Sequence, residues 1–474
     1  MLLSEQEIEL PAAPGHIGLL SYLEGSIRSR LGRGQTPLRV AVTESSSDAY
    51  RCEVSIHDGD VGRSGSSPSI FELANRASEN TDSFNAVLVV PTGVGAEIGG
   101  HAGDAAPVVR LLATLCDNLI THPNVVNGSD INEIPDNGLY VEGSVLCRLL
   151  MGTVGLRRVR SNRVLVVIDA HSDRAFVDAA VNSVSAARSS YGLRCPTVVE
   201  LDPSMVMEAD YASSGRAVGR VGELDVLWEA LDAYRGHYDA VAVSSVISVP
   251  KRYHMEYFTS EGDMVNPWGG VEAMLTHAIS TFYNVPSAHS PMLESREVAN
   301  LDPGIVDPRM AAEIVSVAFL QSVLKGLHRS PRIVTDRDSM RDAGVLTAAD
   351  ISCLVIPDGC VGLPTLAALE QGIPVIAVRE NRNLMRNDLA TLPWGPDQLH
   401  IVENYWEAMG VMAAMKAGIA PESTRRPLAA TRVETVTLEH RSDREAEQPA
   451  RPQQEVAASD GQEIPQAREV AGDD

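Results

Sequence analysis

The sequence predicts an α/β fold of mostly parallel, doubly wound sheets, read as two Rossmann-like units followed by a disordered C-terminal tail. Short Val/Ile-rich runs alternate with longer stretches of helical period. The runs are almost continuously apolar, as strands covered on both faces must be. Several of them pass directly into segments rich in Gly, His, Asp, Asn and Pro, the composition expected at the carboxyl edge of an open sheet, where ligands bind.

In chain order, PLRVAVTE (37–44), RCEVSIHD (51–58), FNAVLVVP (84–91), NLITHP (118–123), RVLVVIDAH (163–171), PTVVELD (196–202) and YDAVAVSSV (238–246) predict a first set of strands. PRIVTD (331–336), SCLVIPDG (352–359) and PVIAVRE (374–380) predict a second set. Helical periods lie between them at 107–116, 176–189, 223–234, 270–281, 308–325 and 363–371. These elements divide the chain into an N-terminal extension (1–35), an α/β domain with a glycine-rich loop (36–245), a second α/β unit (246–420) and the tail (421–474). In the tail, Tyr, Trp and Phe vanish while Arg, Glu, Gln, Pro, Ala and Ser dominate, so it lacks the apolar surface to offset its ordering entropy.

Composition narrows the function. The 474 residues are 44% hydrophobic but only 4% aromatic, so Val, Leu, Ile and Ala must build the core. A net charge of −24 repels a phosphate backbone or an anionic membrane, which argues against nucleic acid and membrane partners. Six scattered cysteines without a CxxC pair suit a reducing compartment, and acidic residues stand where a signal peptide is basic. No run reaches the ~18 apolar residues of a membrane span. The expected location is the cytoplasm. A homo-oligomer fits apolar stretches such as AAEIVSVAFLQSVL, which serve equally as core.

The chemistry is expected at the strand ends. Between Pro91 and Pro107 stand Gly93, Gly95, Gly99, Gly100 and Gly103, a density that costs chain entropy and suggests backbone amides approaching an anion. A tight crossing of the chain explains the same density. The spacing is neither a dinucleotide fingerprint nor a P-loop. Thr92, Glu97, His101 and Asp104 lie in or beside this loop, and the next strand end offers His122, Asn124, Ser129 and Asp130. Some of these shape turns; the others are available to a polar ligand. Asp169 and His171, two residues apart after an apolar strand, share a face in extended geometry. His101 with Asp104, or Asp169 with His171, are the candidate acid–base pairs. Combined with His122 they also form a conceivable divalent-metal set, although no HxH, HExxH or Cys cluster accompanies them, so no cofactor is assigned.

Lys251, Arg252 and His254 are cationic groups suited to an anionic ligand, or to a charged surface loop. Ser144 reads as a helix cap, because no GxSxG elbow surrounds it. His277, mid-helix, reads as a satisfied histidine, and His289 as a weaker candidate.

The run PTGVGAEIGGHAGDAAPVVRLLATLCDNLITHPNVVNGSDINE, followed by YVEGSVLCRLLMGTVGL and RSNRVLVVIDAH, resembles a bacterial, cyanobacterial and plant family catalogued as domain of unknown function 3326. The resemblance extends from about residue 84 to about 385 and implies membership without implying a reaction. PDGCVGLPTLAALEQGIPVIAVREN (357–381) is similar to the nucleotide-diphosphate segment of two-domain glycosyltransferases and sugar-nucleotide 2-epimerases. That likeness implies phosphate binding at Gly359, Gly362 and Thr365, where a helix N-terminus would receive the group. The paired acidic residues those families carry inside the helix are missing here, with Ala367 and Ala368 in that stretch and Glu370 toward its end.

The expectation is therefore a cytoplasmic enzyme using acid–base chemistry on a small anionic metabolite, carboxylate or phosphate. The alternatives are a sugar-nucleotide transferase or epimerase, and a binding protein without turnover.

Overall fold

A computed structural model describes residues 1–14, 18–59, 69–260 and 264–435. Met1–Pro421 form one compact unit, which ends where the composition of the chain changes. The tail expectation falls largely on residues 436–474, outside the described residues.

The chain is mixed α/β, with two parallel sheets. The larger runs in the order Leu399–Val402, Val375–Val378, Cys353–Pro357, Asn85–Leu88, Asn118–Thr121, Gly138–Tyr140. Strand succession proceeds outward in both directions from the central Cys353–Pro357 and Asn85–Leu88 pair. Two adjacent strands whose crossovers leave in opposite directions open a crevice beyond their carboxyl ends. Both central strands are buried throughout, as their unbroken apolar runs require. The second parallel sheet runs Val198–Glu200, Val164–Ile168, Ala240–Val246, Ser287–Met292.

The expectation of mostly parallel pairing needs correction. PLRVAVTE and RCEVSIHD belong to an antiparallel sheet ordered Val206–Tyr211, Ala217–Gly222, Leu2–Pro11, Ala49–Asp58, Gln35–Ser45, Val361–Gly362. The link from Ser45 to Ala49 is a tight turn in which Ser46 Oγ accepts from the Asp48 and Ala49 amides. A parallel crossover needs about a dozen residues, so this linker permits only a hairpin. Residues 1–35, set apart in the sequence as an extension, supply Leu2–Pro11, an inner strand paired along its whole length with Ala49–Asp58.

The helical period at 308–325 resolves into Ala311–Ile314 and Leu320–Arg329. Ser316 breaks it: its hydroxyl donates to Asp130 (2.5 Å) and accepts from the Ala318 amide, while its carbonyl accepts from Ser129 Oγ. Such local side-chain bonds compete with the helical ladder. The Gly269–Tyr283 helix is buried along most of its length and packs on the antiparallel sheet, where Gly270 is obligatory: a Cβ there would lie 2.2 Å from the Ala217 carbonyl oxygen.

Candidate functional site

A cavity of about 350 Å³ opens where the carboxyl ends of the two parallel sheets meet. His122 follows Asn118–Thr121, Glu142 follows Gly138–Tyr140, and Ile247 and Leu293 follow the strands of the second sheet. The Gly269–Tyr283 helix lays Glu272, Thr276 and His277 along one wall. These stand at i, i+4 and i+5, so a single helix face presents all three. A smaller cavity of about 130 Å³ lies at the crevice between the two central strands, and Thr92, His122, Gly143, Ala273 and His277 line both.

The larger cavity is built from histidine–carboxylate pairs. His277 Nδ1 lies 2.5 Å from Glu142 Oε1. Glu142 also caps the Gly143–Leu150 helix through its other oxygen, accepting from the Ser144 amide (2.9 Å), the Ser144 hydroxyl and the Val145 amide (3.4 Å). Burial alone would push this carboxyl up; the His277 charge and the bonds from His277 and Ser144 outweigh burial and hold it below its ordinary value. Gly143 is what lets the ring close on it, because a Cβ there would lie 2.8 Å from His277 Cε1. His289 makes a second pair, with Nδ1 3.0 Å from Glu272 and Nε2 2.8 Å from Ser245 Oγ. His254 sits 3.6 Å from Glu294.

Glu313 forms another wall. Its Oε1 accepts from the Ala102 amide (2.5 Å) and from Tyr257 OH (3.0 Å), and Tyr257 OH lies 2.7 Å from His101 Nδ1. Burial raises Glu313 to about 7, Asp104 to about 8 and Asp169 to about 6, and it lowers His101 and His122 to about 4. His122 Nε2 accepts from the Val90 amide at 3.2 Å, so its neutral ring carries the proton on Nδ1.

The Glu313 shift predicts a pH effect. The native state keeps the proton up to about pH 7, whereas the unfolded chain loses it near 4.5. Between those values the native state binds more protons, so stability falls as pH rises. Glu313→Gln removes this contribution, so urea titrations from pH 5 to 8 should show a flatter decline for the variant; an unchanged slope counts against a buried, neutral Glu313.

Of the sequence-selected residues, Thr92, His122, Asn124 and Ser129 line the larger cavity. His101 stands one hydroxyl behind its wall. Asp104 is spent on the Gly99 amide (2.6 Å), Asp130 on Ser316, and Asp169 on the Ala170 and Met205 amides. His171 is held between the Asp173 amide and the Leu293 carbonyl. Glu97 pairs with Arg309 and Arg382. Lys251, with its side chain 81% exposed, faces Glu297, and Arg252 pairs with Glu256 over the Tyr253 ring.

Gly93, Gly95, Gly99, Gly100 and Gly103 line neither cavity. A Cβ at these positions would meet, in turn, Ala217, Val265, Val90, Ala96 and Asn127, so the glycine density answers to close approach within the protein. Gly362 and Thr365 line the smaller cavity, where Thr365 Oγ1 donates to the Cys360 carbonyl; Gly359 does not. At about 130 Å³ that cavity is too small for a nucleoside diphosphate. Among the described residues no group of three or more His, Cys, Asp or Glu side chains is arranged to hold a metal. Glu272 and Glu313 were not selected from the sequence, Glu142 was passed over as part of a helix start, His277 was read as a satisfied histidine and His289 as a weaker candidate. The available signal for Glu272 and His277 was the polar stripe Glu272, Thr276, His277 on a largely apolar helix.

A family model described as "Protein of unknown function (DUF3326)" matches residues 85–425. A protein of Synechococcus sp. described as an uncharacterized lipoprotein is 34% identical over 342 residues, 72% of this chain and 92% of that protein. Among the described residues no helix is long and apolar enough to cross a membrane.

Proposed function

The chain belongs to the DUF3326 family, and since the matched region contains every histidine and glutamate of the larger cavity, we propose that it is an enzyme performing acid–base chemistry there. Its substrate is a small metabolite carrying a carboxylate or phosphate. The observation that carries this reading is the buried His277–Glu142 contact beside Gly143. The carboxylate orients the ring, and a protonated Glu313 supplies an acid on another wall. His101 and Tyr257 act behind Glu313 as its hydrogen-bonded support.

Among the described residues four glutamates and no Lys or Arg line the larger cavity, so the reacting part of the substrate is uncharged or cationic and its anionic group binds elsewhere. We also read the two parallel sheets as a Rossmann-like pair sharing the cavity; the central switch in strand order supports this for the larger sheet. Six free cysteines, five of them buried, support a reducing cytoplasm, against the extracytoplasmic location that the relative's printed name suggests.

The test is incubation of the protein with a bacterial metabolite extract in D2O, followed by mass spectrometry. Wild type should consume or deuterate at least one metabolite, and His277→Asn should slow that change by about 10²–10⁴-fold, the contribution of a positioned acid or base. An extract that wild type leaves unchanged contradicts the proposal.

A further inference from the structure

We infer that the smaller cavity binds a carboxylate on a short apolar stem, with Arg148 and Thr281 as its binding residues. This deepens the reading above by locating the anionic end of the same metabolite.

Arg148, on the Gly143–Leu150 helix, is 8% exposed and lines this cavity. Its guanidinium bonds only neutral acceptors, Asn284 Oδ1 at 2.7 Å and the Ser280 carbonyl at 3.4 Å, and its Nε has no partner. Burial lowers its pKa to about 10, which leaves it charged at neutral pH. Thr281 lines the same cavity, is 3% exposed, and its hydroxyl also lacks a partner. Glu142 and Glu72 act on the Arg148 charge without bonding it. Buried donors are normally satisfied, so two unsatisfied donors among the residues of one small cavity point to an anion that completes them.

The other arginines on this wall are already matched: Arg39 bonds Glu5 (3.2 Å), and Arg216 bonds Glu5 and Glu53. The Leu363–Gln371 helix begins at the cavity, and no side chain caps its N-terminus. Its first-turn amides, except that of Pro364, add donors and the positive end of the helix dipole.

The remaining surface selects the kind of anion. Leu38, Val40, Val89, Leu146, Ile356 and Met385 line the cavity. A phosphate would leave oxygens facing these apolar groups. A carboxylate needs fewer donors, and its stem fills the apolar space while pointing through the shared wall at Thr92 and His277 toward the larger cavity.

Calorimetric titration with sodium butyrate, with sodium phosphate and sodium chloride at matched ionic strength, tests this. Wild type should bind one butyrate saturably and in preference to phosphate. Thr281→Val should weaken butyrate about fivefold, the loss of one neutral hydrogen bond, and Arg148→Met by more than tenfold. Arg148→Met removes a tie between two helices, whereas Thr281→Val breaks no bond within the protein and stays folded. The inference is overturned by wild type that ignores butyrate, by phosphate binding in its place, or by Thr281→Val binding as wild type does. No turnover is measured, so a failure of the His277 experiment leaves this result standing, and the reverse holds as well.

Discussion

Glu142→Ala should lower the free energy of unfolding by about 3 kcal/mol in urea titrations at pH 7, because it strips a buried pair of one partner. Two losses combine. The His277 ring loses the carboxylate 2.5 Å from Nδ1, and the Gly143–Leu150 helix loses the oxygen that caps it, a contribution of ~1 kcal/mol by itself. Only 3% of Glu142 is exposed, so water does not replace either partner well. The pH dependence has a definite sign. The folded pKa lies below the ordinary 4.5, so the stability supplied by Glu142 is present above that value and disappears as pH falls through the folded pKa. The gap between wild type and variant should therefore narrow in acid. A deficit under about 1 kcal/mol at pH 7 would mark a solvated pair rather than a buried one.

Gly100→Ala should destabilise by about 3 kcal/mol, at the upper end of overpacking costs, because its Cβ would fall 2.0 Å from the Ala96 carbonyl oxygen and backbone must move. This separates two explanations of the glycine-rich loop. If the glycines serve internal packing, thermal unfolding shifts downward whether or not a ligand is present. If they cradled an anion, the variant would keep its stability and lose only affinity.

The loop shows where sequence reasoning loses information. A glycine run records that something comes close to the backbone without saying whether it is a ligand or another part of the chain. Here it is the rest of the chain: Ala217, Val265 and Asn127 come near through tertiary packing, and Val90 and Ala96 through the turns of the loop itself. Strand content was legible because full burial writes itself as unbroken Val/Ile/Leu runs, as in NAVL and CLVIP. Pairing direction was less visible, although the short linker between PLRVAVTE and RCEVSIHD already excluded a parallel crossover. Leu2–Pro11 escaped notice because its alternation of apolar and polar residues marks a half-buried antiparallel strand, not the apolar run being sought.

The site was legible in its location and not in its membership. Of the residues chosen at the carboxyl strand ends, Thr92, His122, Asn124 and Ser129 line the larger cavity. The polar groups of the larger cavity sit largely on the Gly269–Tyr283 helix, which enters from the side, and on Glu142, whose contact His277 is 135 positions away. Nothing local to either residue records that meeting. Asp169 and His171 had the right position in sequence, but backbone groups absorb their polar atoms.

The most direct measurement is a crystal structure of the His277→Asn variant with the metabolite that wild type consumes. The account predicts density in the larger cavity, within hydrogen-bond reach of Glu142 or Glu313, with the anionic end turned toward Arg148. Density resting on the amides of the 93–103 loop, or at exposed Lys251 and Arg252, would contradict it.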